Sequence, residues 1–155
     1  MLGTGELAPP FELKDAASGT AVSLADVLAK GPALLAFFKI SCPVCQMTMP
    51  YLERMAGGGT LRFIGISQDD AGDTEKFNRA FGVRLETLLD ERRSGYPASN
   101  AYKITNVPSL FLVEPDGRIS ASVTGFSKRD LEAIGERAGV APFTAADQVP
   151  EFRPG

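Results

Sequence analysis

The stretch Ala33-Leu34-Leu35-Ala36-Phe37-Phe38-Lys39-Ile40-Ser41-Cys42-Pro43-Val44-Cys45-Gln46 joins an unbroken apolar run to a Cys-x-x-Cys pair. Six consecutive apolar residues predict a strand covered on both faces, because a half-exposed strand would carry a polar residue at every second position. Pro43 marks the start of the helix that follows, since its fixed φ suits the first helical position and its missing N–H is not needed there. Cys42 then falls on the helix cap, beside unpaired N–H groups and the positive end of the dipole, which favours thiolate over thiol. Cys45 lies one turn further in. This placement casts Cys42 as nucleophile and Cys45 as resolving partner.

These are the only two cysteines, and the chain has no histidine. A zinc site would need two more ligands, from a second subunit or from carboxylates, so no metal is expected. A structural disulfide across two residues would close too short a loop to restrict the unfolded chain much. A redox dithiol accounts for both the spacing and the strand-to-helix placement. Gly57-Gly58-Gly59 is a helix end rather than a phosphate loop, because no Gly-Lys-Ser/Thr follows it. No cofactor is expected.

A chain of 155 residues, 44% hydrophobic, is most simply one domain. Sixteen basic against nineteen acidic residues leave a net charge of −3 with no basic stripe, which argues against nucleic acid and anionic membranes. No segment has the length of a membrane span, and Met1 leads into domain-like sequence. The expectation is a cytoplasmic monomer, or an extracytoplasmic one if Met1 is an artificial start.

Outward from the central stretch, Phe11 to Lys14 and Ala21 to Leu24 read as an N-terminal β-hairpin, and Ser23 as the cap of a short helix through Lys30. The helix from Pro43 to about Ala56 presents Val44, Met47, Tyr51 and Met55 at three- and four-residue steps, with Pro50 expected to bend it. Leu61 to Ser67 is a strand, Gln68 to Asp73 a loop, and a helix begins at Thr74 and stops at Gly82. A short strand at 85–90, a short helix at 97–103, a hairpin of 109–113 with 118–124, and a helix over 127–139 capped by Ser127 complete the order. The domain is bounded at 1–140, and 141–155 is expected as an extended tail. The alternation predicts a three-layer α/β domain with a mixed central sheet flanked by helices.

The order strand, Cys-x-x-Cys helix with Pro50 eight residues after Cys42, then Val107-Pro108 ahead of an apolar hairpin, resembles the thioredoxin superfamily. Leu7-Ala8-Pro9-Pro10-Phe11-Glu12-Leu13 and Val22-Ser23-Leu24 look like its redoxin branch, the TlpA-like reductases and AhpC/TSA-type peroxiredoxins. The resemblance spans about residues 5–139. It implies a thioredoxin-like fold and a cis Val107-Pro108 bond against the two sulfurs, in a loop that offers main-chain hydrogen bonds to a partner peptide.

Several positions depart from the family pattern. Ser41 and Ala36 stand where thioredoxin has a tryptophan and a buried aspartate, leaving the proton acceptor for Cys45 without an obvious candidate. Gln68 lies where some TlpA-like reductases carry a glutamate, and it cannot ionise. Lys39 either supports a thiolate or is a solvated strand end. A peroxiredoxin would need proline at 35, threonine at 39 and arginine at 108, where this chain has Leu35, Lys39 and Pro108. The resemblance thus implies a thiol–disulfide oxidoreductase that exchanges with a protein or small-molecule disulfide and is reset by a thiol donor. A thiol peroxidase and a non-enzymatic redox-switched binding module are the alternatives.

Overall fold

The computed structural model describes residues 1–155. Its core is a seven-stranded mixed sheet of β1 (Glu12–Asp15), β2 (Ala21–Ser23), β3 (Ala33–Phe38), β4 (Arg62–Ser67), β5 (Glu86–Leu89), β6 (Ser109–Val113) and β7 (Ile119–Thr124), in the order β2-β1-β5-β4-β3-β6-β7. β3 lies centrally, parallel to β4 and antiparallel to β6. All six of its residues are at most 1% exposed, as the unbroken apolar run requires. Truncating either Leu34 or Leu35 to alanine there removes packing from one side of the layer and costs about 2–5 kcal/mol.

Period-two alternation along β3 divides the core. Leu34, Ala36 and Phe38 face one layer with α2 (Pro43–Ala56), α3 (Ala71–Phe81) and α5 (Lys128–Ala138), while Ala33, Leu35 and Phe37 face α1 (Leu24–Leu28) and α4 (Pro97–Ala101). The predicted caps hold at both ends of the chain. Ser23 caps α1 in a reciprocal box with Asp26, and Ser127 Oγ accepts from Asp130 N at the start of α5.

Three local expectations are corrected. α3 begins at Ala71, capped by Asp70, rather than at Thr74, because the Asp70 carboxylate accepts from Asp73 N at 2.8 Å and allows an earlier start. The most buried row of α2 is Cys45, Thr48, Met49, Leu52 and Met55, whereas Val44, Met47 and Tyr51 are half-buried. Apolar residues span a wide arc of this helix, so periodicity does not choose its centre; the sheet does. Lastly, 141–155 is extended but docked: Phe143 packs against Tyr51 and Phe126, Arg54 pairs with Asp147 at 2.9 Å, and β9 (Phe152–Arg153) joins β8 (Phe126–Ser127) in a second, two-stranded sheet.

Candidate active site

β3 runs into the loop 39–42 at the carboxyl edge of the sheet, and α2 starts immediately beyond it. Cys42 is the N-cap with extended backbone (φ −91°, ψ 113°), and Pro43 occupies the first turn as its missing N–H permits. Cys42 Sγ accepts from Cys45 N at 3.1 Å and its thiol donates to Val107 O at 3.5 Å. The sulfur is half-buried, whereas Cys45 is fully buried against the core layer of α2. Both thiols are free. Burial is the main reason that the Cys45 thiol is pushed far up, reinforced by its hydrogen bond with Cys42 and by the negative charges of Cys42 and Asp69. The two sulfurs thus share a helix turn and differ in access.

The Val107-Pro108 bond is cis, as the resemblance implied, and it places the Val107 carbonyl over Cys42. The loop joins the pair although 65 residues separate Val107 from Cys42, because β6 begins directly after it and is antiparallel to β3. Gln46, in the first turn of α2, ties the loop from the other side by donating to Ile40 O at 3.0 Å.

The side chains of the remaining candidates make no hydrogen bond to either sulfur. Lys39 is exposed and lines an open polar cleft with Gln68, Asp69 and Tyr96, in keeping with a solvated strand end. Gln68 donates to Ser99 Oγ at 2.9 Å, which in turn donates to the buried Asp90 carboxylate, so its amide is committed to that network.

Asp69 was not singled out by sequence reasoning. Its Oδ2 accepts from Ile40 N at 2.8 Å, which holds the loop before Cys42, and its charge opposes ionisation of Cys45. The signal is topological: Phe38 is paired with Ser67, so the residues just after each lie side by side. A parallel neighbour strand therefore delivers its loop to the active-site edge, which no local motif reveals.

Fold and cysteine placement together define a redoxin-type member of the thioredoxin superfamily. The AhpC/TSA family matches residues 4–122, and the chain belongs to that family. It is 27% identical over 128 residues to the thiol-disulfide oxidoreductase ResA of Bacillus subtilis, covering 80% of this chain and 69% of that protein. The crystal structure of the thioredoxin domain of a thiol-disulfide oxidoreductase from Bacteroides vulgatus superposes with a TM-score of 0.77 at 26% identity, over 88% of this chain and 98% of that one. The peroxidoxin BcpB of Mycobacterium tuberculosis, at 20% identity over 89% and 94% of the chains, shares the fold with a TM-score of 0.73. The backbone alone therefore does not separate reductase from peroxidase.

Proposed function

We propose that the protein is a thiol–disulfide oxidoreductase acting chiefly as a disulfide reductase, with Cys42 as nucleophile and Cys45 as resolving thiol. The observation that carries this reading is the asymmetry of the pair: Cys42 is reachable at a helix start with an N–H aimed at its sulfur, and Cys45 is buried with its proton held on. The likeness to ResA supports the same class.

In the forward step the Cys42 thiolate attacks one sulfur of the substrate disulfide, the substrate S–S bond breaks, and the other substrate sulfur leaves as a thiolate that takes a proton. The Cys45 thiol then gives up its proton, its sulfur attacks Cys42 Sγ, and the mixed disulfide breaks to release the second substrate thiol. The chain is left with a Cys42–Cys45 disulfide, and the substrate has gained two electrons and two protons. A dithiol donor reverses the change on the protein. Exposure on one side and burial on the other separate the two steps: the first needs access, the second only proximity. Both sulfurs come from one chain, which supports a monomer as the working unit. In a reducing compartment the thiol pool would set the direction as reduction.

A fast peroxidase needs fixed donors on the oxygen that leaves as hydroxide. Lys39 is exposed and Pro108 offers no donor, so the donors on Cys42 Sγ are the N–H and the thiol of Cys45, both on the resolving residue. Stopped-flow oxidation of one reduced preparation by hydrogen peroxide and by an aromatic disulfide tests the reading. Ready disulfide exchange with peroxide consumption no faster than that of a free thiolate is expected. A peroxide rate orders of magnitude above that level would replace the reductase with a peroxidase.

A further inference from the structure

Residues 150–155 return to the edge of the cysteine pair. β9 pairs antiparallel with β8, with Phe126 opposite Arg153 and Ser127 opposite Phe152, and Lys128 N donates to Glu151 O at 2.9 Å. The chain then crosses Gly125, whose φ of +71° favours glycine and whose missing side chain makes room: a Cβ there would overlap Arg153 O and lie 3.1 Å from Gly155 N. Gly155 in turn packs on the cis-proline loop. A Cβ on it would overlap Val107 O and lie 3.3 Å from Pro108 N. Val107 O is the acceptor of the Cys42 thiol, so a single carbonyl group stands between this segment and the candidate nucleophile.

The manner of attachment is as informative as the place. Residues 151–155 are all exposed, Phe152 at 52%, so main-chain pairing holds them rather than apolar burial. Upstream, Phe143 meets Tyr51 edge to face at 4.9 Å between ring centroids and Val149 packs on the core, while Arg54 binds both Pro142 O and Asp147. A firmly seated base thus carries a weakly held extended segment. Such a segment opens at low cost while the base keeps its effective concentration high, in the millimolar range for a short connection.

We infer that residues 150–155 are an intramolecular occupant of the surface formed by Val107-Pro108, Gly125 and the Phe126–Ser127 edge, where the family resemblance places a partner peptide, and that they are displaced when a disulfide-bearing polypeptide docks. Strand addition supplies main-chain hydrogen bonds whatever the side chains, which suits a reductase with varied protein substrates. A small disulfide needs no strand edge and meets less competition. This inference rests on the disulfide-reductase reading above.

The test compares the full chain with two full-length variants, one with residues 150–155 replaced by alternating glycine and serine, the other Arg153→Pro, which removes a main-chain donor from β9. For both variants kcat/KM for insulin disulfides rises about 3- to 10-fold, with less than about 2-fold change on 5,5′-dithiobis(2-nitrobenzoate), as expected for relief of a tethered competitor. The Lys128 amide exchanges faster in both, and the free peptide Pro-Glu-Phe-Arg-Pro-Gly slows the glycine–serine variant toward the full-chain rate. Unchanged or lower insulin turnover in variants that retain the full-chain thermal midpoint would overturn the inference while leaving the reductase reading intact. Inactivity of all three proteins on both disulfides would overturn both.

Discussion

At the carboxyl edge of the sheet, β3 leads into Cys42 at the start of α2, and β5 leads into Asp90, whose carboxylate sits over the start of α4. Each helix opens with a proline, and each acceptor receives at least one backbone N–H from the first turn. Asp90 is fully buried and accepts from Ala98 N at 2.9 Å, Ser99 N at 2.7 Å and Ser99 Oγ. Cys42 is half-buried and accepts from one N–H. A helix start by itself therefore does not make a reactive site. Where both oxygens are engaged and water is excluded, the acceptor is a structural brace; where the acceptor keeps access and spare capacity, it is free for chemistry.

The largest effect expected from breaking this contrast is at the open site. Cys42→Ser should lower disulfide turnover by about 10³-fold or more, since the nucleophile itself is removed. Cys45→Ser should instead accumulate a mixed disulfide through Cys42, visible by mass spectrometry. Equal alkylation rates for the two thiols of the reduced protein would remove the basis for assigning them different roles.

At the closed site the loss should appear in stability. Asp90→Ala leaves two buried N–H groups and the Ser99 hydroxyl without their acceptor, at a cost of about 3 kcal/mol or more. For a domain of this size that lowers the thermal midpoint by roughly 6–12 °C. Below the transition, Cys42 alkylation should stay within about 2-fold of the parent rate, the size of effect allowed for a change outside the site. A large drop in alkylation with no change in midpoint would mean that the two sites are coupled.

The buried sulfur provides a pH test. Cys45 is raised in the folded chain, so above the unfolded value of 9.0 the unfolded state loses a proton that the folded state keeps. Unfolding is then favoured by rising pH: the stability from the buried thiol is fully present below 9.0 and declines above it, by up to about 1.4 kcal/mol per pH unit. Urea titrations of the reduced protein and of Cys45→Ala between about pH 8 and pH 10.5 should diverge in slope only above 9.0. Parallel curves would show that Cys45 is not held neutral.

The smallest effect concerns Asp69. Asp69→Asn keeps an acceptor for Ile40 N but removes the charge that opposes a Cys45 thiolate. In a Cys42→Ser background, Cys45 alkylation should rise about 2- to 3-fold at moderately alkaline pH. An unchanged rate would confine Asp69 to bracing the loop.

Features carried by short segments were legible without the structure. The apolar run 33–38, the proline after Cys42, the hairpin of 109–113 with 118–124, and the Ser23 and Ser127 caps each follow from backbone chemistry within a few residues. The Cys42–Cys45 spacing on a helix start was legible for the same reason, as was the redoxin resemblance built on that order of motifs.

What the tertiary structure alone decided are relations between segments far apart in the chain. The sheet chose the inner face of α2, because a helix with a wide apolar arc has no centre until something packs against it. Parallel pairing of β3 with β4 set Asp69 beside Ile40, and the fold turned Asp90 and Gln68 onto Ser99. Residues 141–155 show the limit most plainly: they have no periodicity to read, yet Phe143, Asp147 and the β8–β9 ladder seat them against the cis-proline loop. Contacts of that kind depend on surfaces that exist only once the rest of the chain has folded, so local sequence carries their ingredients and not their partners.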